Sequence, residues 1–530
     1  MASSASRNAE PLLSATVPTD VSPPTPPTAG PVTAEPAQAD PHGGPRRLDR
    51  VFLHSLAWSA SSRWLTQIVT WASTVVVARL LSPSDYGLIG MATLYMGFVA
   101  MLSEMGFGSA IVLLPKLSDE QIAQVNTVSV LVGFAAFLLS AAAAVPLSIY
   151  FHSPNLAPVV LVLSTTFVIT SLRSVPYARL QRDLQFRQLA LWDSGSALLG
   201  SVSMVGLAAL GFGYWSLAAS QIVSTLAVTA LTVAYRPSRF ARPRKQALRE
   251  VLVFGHRMVV GRLAWYFYSN ADFFVAGRML GPAPLGSYTF AWTLSSMPGD
   301  KIATIIASLT PAFFSAVQKE STELRRYLIT ITEGLALAVL PATVGIGLVA
   351  RELLPAAFGA QWRNAVAPAE LLALFAGIRA LRPVLNNATL ALGDTRFQMW
   401  NGVVSAIVFP LAFWGGSRWG VVGIAGAWAA IYPLQFAVGV WRAVYLGAVT
   451  WRGYLGAIWP AISSTILMAA AVFAAKLLLE RTGLPLGVRA AIEILVGALA
   501  YAATLLTVHR GRIARYVRMA RDLRASKSAA

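Results

Sequence analysis

No cysteine occurs among the 530 residues of this chain, and only 12% of them are charged. The first absence excludes a disulfide framework, a thiolate metal site and a cysteine nucleophile. The second excludes a mostly water-exposed protein, since soluble globular chains carry roughly 25% charged residues. Histidine is scarce as well: His42, His54, His152, His256 and His509 are scattered, in no metal-ligand spacing. No glycine-rich loop followed by lysine is present, so no ATP-driven motor lies within the chain and no cofactor is expected.

What the chain has is apolar length. Apolar residues make up 56% of it, and its mean hydropathy is +0.60. Stretches of about 20 residues, the length that crosses a bilayer core of about 30 Å, recur between Leu53 and Val508. Hydropathy, helix breakers and loop charge together predict about fourteen spans. They fall near 55–78, 86–113, 122–146, 156–172, 188–210, 214–234, 251–277, 285–315, 327–350, 366–386, 397–414, 420–441, 455–478 and 487–508.

The net charge of +19 invites a nucleic-acid reading, which the placement of the charge opposes. The basic residues lie in short connections between spans, the signature of cytoplasmic loops, and not on one soluble module. Arg173, Arg179, Arg182 and Arg187 fall between spans four and five, and Arg236, Arg239, Arg242, Arg244, Lys245 and Arg249 between six and seven. Lys319, Arg325 and Arg326 fall between eight and nine, and the segment after His509 is basic. The connections Phe151-His152-Ser153-Pro154 and Gly211-Phe212-Gly213 carry no lysine or arginine. On this map about thirty of the 42 basic residues face the cytoplasm, about eight face outward and four lie within spans. Both termini are then cytoplasmic. Residues 1–50, rich in proline, alanine, serine and threonine, are expected to be disordered. They lack the apolar core of a signal peptide, and cleavage is not expected.

A stretch of the chain recurs about 199 residues on: Arg63 pairs with Arg262, Arg79 with Arg278, Pro83 with Pro282, Gly87 with Gly286 and Ala92 with Ala291. Internal repetition in a polytopic membrane protein points to a transporter of two halves around a central site. The repeat starts at spans one and seven, so each copy has six helices and both have the same orientation. The expected fold is an all-α polytopic membrane protein of two parallel six-helix repeats, 51–236 and 250–444. Two additional helices at 455–508 and a basic cytoplasmic tail at 509–530 complete it.

A charge within a span costs at least about 2.5–3.5 kcal/mol at mid-membrane and calls for an account. Ser59, Arg63, Gln67, Thr70 and Thr74 share one face of a helix. Such a stripe faces a wet cavity or a partner helix. Arg262 holds the equivalent position, and Ser269 and Asp272 follow near the same side. Sixteen residues separate Arg63 from Arg79, about 24 Å of helix, which puts Arg63 about 6 Å inside the cytoplasmic edge of the core. Both arginines then either snorkel to headgroups or face each other across the inner mouth of the cavity, gripping a diphosphate bidentately. Gln67 and Thr70 would line that cavity. Asp272 would pair with Arg262 or take part in ion coupling. Glu104, Asp193, Arg257, Lys301, Glu333, Glu370 and Glu493 also lie within or near spans, where a boundary charge needs no function. Pro298, Pro311, Pro341, Pro410 and Pro433 are expected to kink spans. No catalytic or metal residue is predicted.

Several segments resemble one family. They are Ala78-Arg79-Leu80-Leu81-Ser82-Pro83-Ser84-Asp85-Tyr86-Gly87, Glu104-Met105-Gly106-Phe107-Gly108-Ser109-Ala110 and Leu180-Gln181-Arg182-Asp183-Leu184-Gln185-Phe186. In the second half they are Asn270 to Gly281 and Leu285-Gly286-Ser287-Tyr288. Over residues 50–510 the chain is similar to polysaccharide-type (Wzx-like) lipid-linked oligosaccharide flippases. These form a branch of the multidrug/oligosaccharidyl-lipid/polysaccharide exporter superfamily. The resemblance implies a non-enzymatic, multi-pass protein of the bacterial inner membrane. Its substrate would be undecaprenyl-diphosphate-linked repeat units for exopolysaccharide, O-antigen or lipopolysaccharide assembly, moved by alternating access. It admits membrane lipid and polysaccharide polymerase or assembly proteins as partners. Two alternatives stay open: a drug/cation antiporter of the same superfamily, and an integral-membrane glycan polymerase or ligase.

Overall fold

The computed structural model describes residues 66–104, 107–113, 117–244, 266–316, 320–512 and 514. They fold into helices: α1 (66–80), α2 (Pro83–Glu104), α3 (Phe107–Leu113), α4 (Asp119–Tyr150), α5 (Leu156–Arg182), α6 (Phe186–Ala209) and α7 (Tyr214–Tyr235). Then come α8 (266–280), α9 (Pro282–Ala316), α10 (Ser321–Phe358), α11 (Val366–Ala391), α12 (Thr395–Gly416), α13 (Gly420–Tyr445), α14 (Trp451–Leu479) and α15 (Leu486–Thr507). Among the described residues nine stretches are long and apolar enough to cross a membrane. One of these, Thr395–Tyr445, has 51 residues, and a 3₁₀ turn at Ser417–Trp419 splits it into α12 and α13.

Local chemistry explains the ends. Ser118 caps α4 in a reciprocal box, its hydroxyl accepting from the Gln121 N–H while the Gln121 side chain accepts from the Ser118 N–H. Thr450 accepts from the Gly453 N–H to open α14. The helices outrun the predicted spans where polar residues follow apolar ones. Arg173, Arg179 and Arg182 are on α5, Arg325 and Arg326 on α10, and none of them is in a connection. The reason is that hydropathy marks where lipid contact stops, whereas backbone hydrogen bonding carries the helix further. Arg179 and Arg182 also complement the dipole at the end of α5. Helices α10, α12 and α13 run through Pro341, Pro410 and Pro433.

Side-chain size sorts the faces. Buried positions are often small, as at Ala78, Ala92, Ser140, Ala276 and Ala291, and backbones approach closely there. Large apolar side chains point outward instead, among them Leu139, Val202, Leu411, Leu467, Phe473 and Leu499. That is the arrangement of helices whose solvent is hydrocarbon.

Packing divides the helices into groups. In the first, α5 touches α2, α3, α4, α6 and α7; in the second, α11 touches α9, α10, α12 and α13. Helices α14 and α15 pack on each other and on α10. The groups meet where α2 lies along α9. Tyr86 of α2, Phe290 of α9 and Trp362 of the turn before α11 form an aromatic cluster at that seam, with Phe290 stacked on Trp362 at 4.0 Å.

Candidate functional site

The seam between α2 and α9 is closed at one end by glycine. A Cβ at Gly87 would overlap the Pro282 carbonyl, and a Cβ at Gly286 would overlap the Pro83 carbonyl. Any side chain there would force the helices apart, so these two positions are glycine for proximity. The contact is reciprocal between residues that the sequence repeat makes equivalent.

Two arginines of the repeat latch the same end. Arg79 donates from Nε to the Ala357 carbonyl at 2.7 Å and from Nη2 to that of Ala356 at 2.8 Å, at the end of α10. Arg278 reaches across the other way to His152, just past α4, with Nη1 2.8 Å from the ring Nδ1, and lies over the Tyr150 ring. The Trp362 indole N–H adds a bond to the Ala78 carbonyl at 2.8 Å.

Cations gather well away from this closure, about 28 Å along α9 from Pro282 at 1.5 Å per residue. Lys301 of α9 donates to the Gln67 Oε1 of α1 at 3.0 Å. Arg379 of α11 bonds Asp300 at 2.7 Å and lies over the Trp292 ring. Arg382, one turn on, donates to the Gln435 Oε1 at 2.8 Å and the Tyr268 hydroxyl at 3.1 Å, and lies over Tyr432. The Gln67, Gln435 and Tyr268 oxygens are neutral, so they orient Lys301 and Arg382 without cancelling their charge.

The first group holds a cavity of different chemistry. A cavity of about 300 Å³ between α2, α4, α5 and α7 is lined by Thr93, Ser103, Ser129, Thr166, Ser171, Gln221 and Thr225, with apolar neighbours. The hydroxyls of Thr93, Ser103, Thr166, Ser171 and Thr225 donate to carbonyls of their own helices. Their remaining capacity is to accept. An oxygen surface of this kind suits a donor-rich ligand such as a sugar.

The predicted site residues fare unequally. Arg63 and Arg262 lie outside the described residues, as does Arg257. Gln67 is brought against the opposite group by Lys301. Thr70 turns elsewhere: its hydroxyl bonds back to the Thr66 carbonyl and lies 3.5 Å from that of Ser201 on α6. Asp272 is fully buried, and its Oδ2 accepts from the Tyr288 hydroxyl at 2.6 Å and the Trp428 indole at 2.9 Å. It thereby ties α8 to α9 and α13, and its Oδ1 has no hydrogen-bond partner among the described residues. Arg379 and Arg382 were not singled out from the sequence, although both fall within the predicted span 366–386 and α11 extends well beyond them. The rule that a charge inside a span needs an account would have found them.

Comparison with known proteins follows the same lines. The sequence model of the family described as polysaccharide biosynthesis protein matches residues 76–367. The succinoglycan biosynthesis transport protein ExoT of Rhizobium meliloti (strain 1021) is 26% identical, over 88% of this chain and 95% of its own. The teichuronic acid biosynthesis protein TuaB of Bacillus subtilis (strain 168) is 23% identical, over 84% of this chain and 93% of its own. Among solved structures, the lipid II flippase MurJ in an inward closed conformation superposes with a TM-score of 0.69 at 13% identity. The match covers 86% of this chain and 100% of that one. The fold is shared.

Proposed function

The chain belongs to the polysaccharide biosynthesis protein family, and from that premise we propose that it is a flippase for undecaprenyl-diphosphate-linked oligosaccharides. It carries these repeat units across the bacterial inner membrane for exopolysaccharide, O-antigen or lipopolysaccharide assembly, with no covalent chemistry of its own. The observation that carries this reading is the presence of two unlike sets of groups: neutral oxygens lining a cavity between α2, α4, α5 and α7, and Lys301, Arg379 and Arg382 in the second group. A sugar crossing hydrocarbon leaves hydroxyls unpaired at several kcal/mol each. The oxygen-lined cavity replaces their lost hydration. The cations neutralise the diphosphate, with guanidinium forks matched to phosphate oxygens. In-span cations select an anion, which disfavours the drug/cation antiporter.

The topology goes with this reading: fourteen spans, both termini cytoplasmic, two six-helix repeats at 51–236 and 250–444, and two further helices at 455–508. The reciprocal Gly87/Pro282 and Gly286/Pro83 contacts support the repeat layout. The closed end then faces outward, and the cations stand toward the cytoplasm, where substrate is made. Arg63 and Arg262 extend the cationic mouth, with Gln67 beside them. Release requires that the Arg79 and Arg278 latches break as the halves rock. Asp272 holds α8 in the second half and remains the candidate for ion coupling.

The test is a strain lacking the gene. It should accumulate complete lipid-linked units on the inner leaflet, inaccessible to reagents added outside. Units that reach the outer leaflet and stay unpolymerised would mean a polymerase or ligase. Arg379→Ala, Arg382→Ala, Arg63→Ala and Arg262→Ala should each reduce export at normal membrane abundance, and lysine should restore it only in part. Normal export by all four alanine variants would remove the diphosphate reading.

A further inference from the structure

A second ionisable cluster lies apart from the substrate cavity, where α14 and α15 join α10. The Lys476 Nζ is 2.8 Å from the Glu352 Oε2 and 4.0 Å from the Glu493 Oε2. Glu493 is 1% exposed and Glu352 6%. Two buried carboxyls thus share the one Lys476 ammonium. The Glu493 Oε2 has no hydrogen-bond donor among the described residues. Glu493 also lines a cavity of about 340 Å³ between α10, α14 and α15 that is otherwise apolar except for Tyr501. The other charged groups acting here are Arg489 on α15, Arg351 on α10 and Glu370 on α11.

Among the described residues Lys476 alone stands within ion-pairing distance of both buried carboxyls, nearer to Glu352 than to Glu493. We propose that Glu493 and Glu352 form a proton-binding site at this junction, and that its occupancy sets the state of the closure between α2 and α9. In the binding step the Glu493 carboxylate takes one proton from the aqueous phase, forming one O–H bond, and the neutral acid donates to Glu352. Deprotonation reverses it. The link to the closure is short: Glu352 is one helical turn before Ala356 and Ala357, whose carbonyls receive Arg79. Loss of the proton leaves two carboxylates on one lysine. Their repulsion shifts α10 against α15, and with it the acceptors of the Arg79 latch. What this drives rests on the flippase reading, but the proton site does not.

The absence of cysteine makes a single reporter clean. Ser287→Cys, beside Gly286 on α9 and 2% exposed, is reactive to a maleimide only when the closure opens. In purified protein without substrate, its labelling rate, corrected for thiolate fraction with a model thiol, should change with pH by about fivefold or more. Infrared spectra over the same pH range should show a protonated carboxyl band. Glu493→Gln should remove both the pH dependence and the band, and Glu352→Gln serves where that variant does not fold. Unchanged pH dependence and an unchanged band in either variant would overturn the proposal. So would a labelling rate that follows sodium at constant pH. Lipid-linked units crossing normally in a strain lacking the gene would instead sink the flippase reading, leaving the proton site to stand or fall on the purified protein.

Discussion

Replacing Gly87 with alanine puts a methyl group where the Pro282 carbonyl is. The new Cβ would lie 2.6 Å from the carbonyl carbon of Pro282, against about 3.5 Å for the nearest comfortable carbon contact. The seam must widen by at least roughly 0.9 Å there, and further to clear the carbonyl oxygen, which lies nearer still; no rotamer relieves it because the obstacle is backbone. Overpacking of this kind costs about 1–3 kcal/mol, all of it charged to the closed state. The open state is thereby favoured by about 5- to 150-fold. In cells carrying the Ser287→Cys reporter, labelling by a membrane-impermeant maleimide should rise accordingly, and export should fall. Gly286→Ala should behave alike, its Cβ lying 2.7 Å from the Pro83 carbonyl carbon. The double variant should cost less than the two singles added, since one widening relieves both. Labelling and export unchanged by Gly87→Ala would refute the closure.

Asp272→Ala should lower thermal stability in detergent by about 2–6 kcal/mol, since it strands the buried Tyr288 hydroxyl and Trp428 indole N–H; an unchanged melting temperature would mean these bonds contribute nothing. Asp394, in the turn before α12, accepts two bonds from Arg442 at 2.7 and 2.8 Å, and that guanidinium holds its carboxyl below the usual carboxylate range. Because the folded pKa is depressed, the stabilisation is present above the unfolded value of about 3.9 and fades as pH falls through the folded one. Asp394→Asn should therefore melt earlier than the parent at neutral pH, and the gap should close on acidification; a pH-independent gap contradicts the ion pair. Reporter fusions at Ser153 and Gly213 should read outside and those at Gln185 and Ala241 inside, and a reversal at either basic connection ends the topology.

Legibility differed between fold and site for a physical reason. The turns at Phe151-His152-Ser153-Pro154 and Gly211-Phe212-Gly213 separate helices as expected, because loss of apolar character and helix-breaking residues act locally. Arg173 and Arg325 were misplaced because a helix continues past the lipid on its own hydrogen bonds. In the polar stripe of α1, Gln67 meets Lys301 while Thr70 bonds to its own helix beside α6. Periodicity names a face of a helix but not the neighbour that face will find.

By itself, the sequence determined a helical membrane protein with an internal repeat. Apolar length, charge placement and equivalent glycines and prolines are properties of short segments, and hydrocarbon leaves a chain of that pattern little choice but helix. Only the tertiary structure decided that Gly87 meets Pro282, that Arg79 and Arg278 cross to opposite groups, and that Glu352 and Glu493 share Lys476. Apart from Glu493 and Lys476, which are near in sequence, those partners lie about 120 to 280 residues apart in the chain. Each depends on the shape and charge of both partners, which neither segment carries alone.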